Sequence, residues 1–400
     1  LVVSVIIVIL LFAFISLIFL QKRMSIKNSN YNQSIYTSHQ VFNYLKSVDI
    51  PFGVIDSISE LSTSLSSSSV SKKQWGIFEL VNVTTKVNKE TFHQSALMGM
   101  TNPQREALYL RNNNQSLILV GNTLIKGNVT IPMRGVNSGN IAGVSYNREQ
   151  FIYGNIGQSE TKIPTILNRK NIHDFLSTYA NDSVAFFEPK IGELKRSSFA
   201  EKTLIHQRNG IIDLVDVQLI GNIIIESDVL IRVHASSKLE DVVLIAPTIE
   251  IQSGFKGTIQ AFATKNIQVK EQSELAYPST LILFNTEDNS KENKQIHIAK
   301  RAVVKGVIGY FSEKNSANYK PQILLDNESK IDGEVYCLGN LELRGTINGS
   351  VYTNSFIASQ FGGVYVNHIY NGIINSETLP EQYAGMMFYN SQKNVAKWVH

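Results

Sequence analysis

The chain opens on twenty residues, Leu1 to Leu20, in which only Ser4 and Ser16 are polar and no charge, Gly or Pro occurs. About twenty apolar residues in a helix are needed to cross a hydrocarbon core of about 30 Å, and backbone amides without water leave helix as the state available there. The run is longer than a secretory h-region of about 7–15 residues and lacks a small-residue cleavage site. It therefore predicts a retained transmembrane helix over 1–20. Beyond it, Met24, Tyr31, Ile35, Phe42 and Leu45 form one apolar stripe of helical period, which predicts an amphipathic extension over 21–50. Asp49-Ile50-Pro51-Phe52-Gly53 should end that helix, because Pro51 removes a donor and biases its neighbour to extended geometry. The stretch from Ser57 to Ser71 is dominated by serine, and 51–74 reads as a Ser-rich linker.

From there the pattern changes to short β-branched runs punctuated by Gly, Asn, Ser and Asp. Residues 75–205 read as a β-rich region with an insertion, interrupted by one helical stretch at Asn171 to Tyr179. Three segments then align: IRVHASSKL, IEIQSGFKG and IQVKEQSEL, starting 18 residues apart at Ile231, Ile249 and Ile267. The spacing returns at Ile323 and Leu341, with Ile357 as the next expected position and Ile296 carrying the register between. The polar stretches Asn285 to Lys294 and Ser312 to Lys320 fit loops inserted in single coils. A repeat this short cannot be a helical pair. It fits one rung of a parallel β-helix, whose apolar row is buried only by stacking on neighbours about 4.8 Å away. The expected architecture is mainly β: a transmembrane helix followed by a β-solenoid with inserted loops, its main stack over 206–370. Gly254, Gly257, Asn266, Gly333, Gly339, Asn340, Gly345 and Gly349 are the expected left-handed corners. LVGNTLIKGNV from Leu119 is similar to LIGNIIIESDV from Leu219, which predicts an earlier rung set apart from the main stack. Residues 371–400 leave the repeat and are expected to cap the last rung.

Composition narrows the function classes. Net charge is +4, and charged residues make up only 18% of 400, with no Lys/Arg cluster, so no nucleic-acid partner is expected. The single cysteine, Cys337, excludes an intrachain disulfide and a cysteine-based zinc site, and its place in an apolar alternation predicts a buried, inert thiol.

The stretch Ile331 to Ser359, with Ile331-Asp332-Gly333, Gly345-Thr346-Ile347 and Gly349-Ser350-Val351, resembles the bactofilins, polymer-forming proteins built as small β-helices. The uncharged span followed by LQKRMSIKNSNYNQS resembles the prepilin-type anchors of minor type IV pilins and pseudopilins. The acidic residue that most major pilins carry at the fifth mature position is absent, Val5 standing there if Leu1 is near the mature start. Lys22, Arg23 and Lys27 follow the span, and a bare count of positive charge would put the bulk of the chain in the cytoplasm. The pilin resemblance implies the reverse, with a Lys-rich leader upstream and the body in the periplasm or at the cell surface. The implied partners are the lipid bilayer and envelope or pilus-like assembly proteins.

β-Helices include polysaccharide lyases and hydrolases, whose chemistry needs acids converging on one groove. Here Asp213, Asp216, Asp228, Glu240 and Asp241 are spread out, and the adjacent pair Glu240-Asp241 reads as solvated turn acids. His206, His234, His297 and His368 show no ligand spacing, so no metal is expected. Gly135 to Gly143 lacks the Lys-Ser/Thr of a phosphate cradle, and no cofactor is expected. Tyr146, Phe151, Tyr153, Tyr365 and Tyr370 are the candidates for stacking on sugar rings. The sequence thus points to a membrane-anchored, non-enzymatic structural or assembly protein. A carbohydrate- or surface-binding module is the alternative, ahead of a polysaccharide-active enzyme.

Overall fold

A computed structural model describes residues 2–55, 66–179, 184–285, 294–312, 319–389 and 391–400. The chain divides into two units: 1–73 with 79–97 and residue 399, and 74–78 with 98–398 and residue 400.

The first unit is built on one helix, α1 (Val2–Ser47), long and apolar enough to cross a membrane. It stops two residues before Asp49, as the Asp-Ile-Pro sequence requires. All side chains of its first half are exposed, and its buried residues are Ser34, Thr37, Ser38, Val41, Phe42 and Leu45. The expected stripe holds for Phe42 and Leu45, whereas Met24 and Tyr31 stay exposed. The buried face has turned onto small hydroxyl residues that let the helix approach a sheet. Thr85 Oγ1 donates to the carbonyl of Ser34 at 2.8 Å, and Ser38 Oγ donates to Gln94 Oε1 at 2.9 Å. The sheet runs in the order Gly53–Ile55, Ser66–Trp75, Phe78–Val87, Glu90–Thr101.

The Ser-rich linker is thereby corrected. Residues 66–75 form a strand in which Ser68, Val70 and Lys72 alternate into the interior. Serine is small enough to occupy inward positions, and composition hid a period of two. Residues 57–65 lie outside the described set.

The second unit is a parallel β-solenoid. One of its sheets stacks Ile211–Leu214, Leu230–Val233, Thr248–Ile251, Asn266–Val269, Gln295–Ile298 and Ile323–Leu325. Ile231, Ile249, Ile267, Ile296, Ile323 and Leu341 stand directly above one another, as the repeat predicts. The next position belongs to Phe356 rather than Ile357, because a bulge between Cys337 and Asn340 shifts the register by one. The loops expected at 285–294 and 312–320 fall largely outside the described residues.

Among the expected corners, only Gly254, Gly333 and Gly349 adopt positive φ. Three residues beyond each of the last four strands of this sheet the corner is Gly254 once, and then Gln272, Arg301 and Glu328 at φ near +60°. Gly306, Gly333 and Gly349 are also in register, at φ 143°, 154° and 148°. There each backbone closes on the carbonyl of the rung beneath.

The order of the rungs departs most from expectation. Val351–Thr353 pairs with Leu108–Leu110, Thr346–Ile347 pairs with Ile373–Ile374, and that strand pairs in turn with Leu124–Ile125. His368–Tyr370 pairs with Ile118–Val120. The rung foreseen at Leu119 exists, but it sits on the far side of the last repeat, and Val129–Ile131 and Ile156–Gln158 extend the stack beyond it. At the opposite end the stack begins with Val184–Phe186 and Leu194–Ser197. Residues 371–400 therefore do not cover the last rung. Their first strand lies inside the stack, and the following segment runs along its flank, with Tyr383 Oη donating to the Gly306 carbonyl and Phe388 lying 4.6 Å from the Tyr352 ring. The helix foreseen near Asn171 is α2 (Arg169–Thr178). The segment 74–78 is part of this unit: Trp75 packs on Phe175 and Phe199, and Gln260 bonds the backbone of both Trp75 and Ile77.

Candidate functional site

The five stacking candidates fall into two half-buried groups. Tyr146 and Phe151, with ring centroids 5.3 Å apart, pack on the solenoid interior near its far end, with Tyr153 bridged to Lys126. Tyr365 and Tyr370 pack against a separate small cluster of Val120, Ile141 and Ala358, and Tyr365 lies 5.5 Å from His368.

A different aromatic row escaped sequence reading. Phe284 stacks on Phe311 at 5.2 Å, Phe311 on Tyr336 at 5.4 Å, and Tyr336, Tyr352 and Tyr109 follow in register. Tyr336 and Tyr352 each stand five residues after an inward isoleucine, Ile331 and Ile347, which is the signal that could have revealed them. Phe388 and the Arg169 guanidinium cover the row, so it is a packing ladder rather than an open platform.

Beside it lies a buried polar node. Glu334 accepts a hydrogen bond from the Met386 amide at 2.7 Å, and Tyr277 Oη donates to the Ala384 carbonyl at 2.8 Å. Arg105 donates to the Leu379 and Pro380 carbonyls and lies over the Tyr383 ring. Burial pushes the Glu334 carboxyl from 4.5 up to about 7, with the Met386 amide and Arg105 pulling it back down. The folded protein thus holds a proton that the unfolded chain has released, across the window from 4.5 to about 7. Stability should fall as pH rises through that window and level off above it for this group. The whole effect is about 3 kcal/mol at about 1.36 kcal/mol per unit. Glu334→Gln should flatten the pH dependence, read as the difference in urea midpoint between about pH 5 and about pH 8. Burial also raises Asp241 and Glu106, and comparison with the parent cancels their share.

Several of the remaining acids and histidines have partners of their own. Asp241 is not a solvated turn acid as expected: its side chain is 8% exposed, at φ +60°, and both its oxygens lie 2.8 Å from Lys397 Nζ. The corner buries it because Lys397 neutralises it there. His297 bonds Asp326 at 2.7 Å, and His206 and His368 bond backbone carbonyls. No group of three metal-ligating residues occurs among the described residues. Cys337 is buried, and its thiol is pushed up to about 12.

An open cleft of about 700 Å³ lies on this unit. Its floor is the outward row Lys305, Asp332, Asn348, contributed by three successive rungs, and its wall includes Tyr277, Leu379 and Pro380.

No protein family matches the chain in sequence, and no curated protein does. Among solved structures, the competence-associated pilin ComZ from Thermus thermophilus is similar over 95% of each chain, at 10% identity and a TM-score of 0.25. A likeness that slight fixes neither fold nor function.

Proposed function

We propose that the chain is a minor-pilin-like, membrane-anchored structural protein that holds a β-solenoid outside the cytoplasm and performs no catalysis. The observation that carries this reading is the division of α1. Its apolar first half is exposed along its whole length, and its second half is seated on a sheet through Ser34, Ser38, Val41 and Phe42. An apolar helix that leaves a folded domain as a stalk is suited to a bilayer at one end and to a display role at the other. The non-catalytic part of the reading draws support from the acids: Asp241 is held by Lys397, Glu342 by Arg344 and Ser359, and Glu334 is shut beneath Gly385. The bactofilin-like alternative, a polymer made by the solenoid itself, would use the same anchor differently.

Topology is the test. Ser67 is exposed and Cys337 is buried, so Ser67→Cys introduces one accessible thiol. Labelling by a membrane-impermeant maleimide in cells with an opened outer barrier and an intact inner membrane is the expected result. Labelling that appears only after inner-membrane lysis would return the cytoplasmic placement that the positive-charge count gives.

A further inference from the structure

We infer that the cleft on the solenoid flank binds a short neutral saccharide. Lys305, Asp332 and Asn348 occupy the same register on consecutive rungs. At about 4.8 Å per rung, the row spans about 10 Å, which suits a short oligosaccharide better than a single ring. Asn348 Nδ2 donates to Asp332 Oδ1 at 2.7 Å, and Lys330 Nζ lies 3.1 Å from the same oxygen. Lys305 Nζ lies 3.4 Å from Glu274 Oε1. Each ammonium of the cleft therefore has a carboxylate partner, Glu274 being shared with Lys256 at 3.8 Å, and neither is left unpaired to draw a polyanion. Left on the floor are acceptors, Asp332 Oδ2 and Asn348 Oδ1, interleaved with ammonium donors. A sugar hydroxyl both donates and accepts, so a row that alternates the two is its natural complement.

The opposite wall has the other half of the chemistry. Leu379 and Pro380 are apolar, and the Tyr277 and Tyr383 rings lie 5.3 Å apart. Both hydroxyls are turned away to backbone groups, Tyr277 to Ala384 and Tyr383 to Gly306, so the rings offer carbon to the cleft. A hydroxyl-matching floor facing a carbon wall fits the two faces of a pyranose. An apolar ligand would strand the floor groups in a dry site, at a cost. An extended peptide gains nothing from the face of a sheet, because the backbone groups there already pair between rungs.

The test is titration calorimetry on the full-length protein in detergent, with chitotetraose and cellotetraose as neutral probes and tetragalacturonate as the anionic one. Binding of at least one neutral probe, retained at high salt, is expected. Asp332→Ala and, separately, Asn348→Ala should each weaken it roughly tenfold or more. Both residues are half-exposed, so the fold should survive, and unchanged thermal unfolding of each variant checks this. Met133→Ala, at an exposed position outside the cleft, should leave binding as it is. The inference is overturned if neither neutral probe binds at millimolar concentration, if only tetragalacturonate binds and salt abolishes it, or if both floor variants bind as the parent does. None of these outcomes bears on the membrane anchor.

Discussion

Gly333→Ala should destabilise the solenoid by about 3 kcal/mol or more, enough to lower its thermal midpoint by several degrees. At φ 154° no L-residue rests comfortably. A Cβ there would land on the Gly306 carbonyl oxygen, with the Tyr383 hydroxyl only 2.8 Å away. Neither neighbour can retreat, since the first is backbone in a rung and the second is bonded to that same carbonyl. Gly135→Ala is the control. Its φ of +68° also needs glycine's freedom, but nothing lies within 4 Å, so only the left-handed backbone cost of about 1 kcal/mol should appear. Melting followed by circular dichroism compares the two. Equal shifts would mean that the rung stack yields locally and that Gly333 is a conformational rather than a steric requirement.

Lys72→Met should be as damaging to the first unit. The Lys72 side chain is 3% exposed, and its ammonium sits 2.9 Å from Glu79 Oε1, in a side chain 6% exposed. It also reaches Asp49 Oδ1 at 2.7 Å and the Ile50 carbonyl at 2.9 Å, and lies 4.6 Å from the centre of the Phe52 ring. The exposed Asp49 adds little, because water screens it. Glu79 matters more. Removing the lysine leaves a carboxylate in its interior site without the ammonium that neutralises it, a change that typically costs about 3–5 kcal/mol. Replacing both partners, Lys72→Met with Glu79→Leu, should restore most of the loss, since an apolar pair of similar size often matches a buried ion pair. Urea unfolding of the single and double variants measures this, and a double variant no better than the single one would show that the lysine acts through the Asp49–Phe52 turn instead.

Those two residues also show what could be read in advance. Gly333 belongs to a repeat whose inward row was legible from spacing alone: Ile231 to Leu341 appear in register because every coil must bury the same position. The slip from Ile357 to Phe356 was not legible, since both are apolar and a bulge decides between them. The corners at Gln272, Arg301 and Glu328 hide because turn geometry there is imposed by the rungs above and below, against the local preference of the residue. Lys72 was lost in a serine-rich run that composition assigns to a loop, although its alternation is that of a strand. The cleft could not be foreseen, because its floor and wall meet only when the segment after Ile373 turns back along the flank. Nor could the order of the rungs. Likeness between two segments says that both are coils, and is silent on which coil stacks on which.

That order sets a timetable for synthesis. The backbone around Glu106 finds its partner at Ser350, 244 residues later. At about 5–20 residues per second, a ribosome needs roughly 10–50 s to deliver that partner. Until then the early coils can pair with each other but present a bare strand edge where the late coil belongs, an invitation to aggregation. Growth from the other end, coil upon coil from Val184 onward, closes the stack only when its last rung meets this waiting one. The solenoid is thus completed by a long-range docking event rather than by simple elongation, and its slowest step should depend on the distant ends of the sequence finding each other.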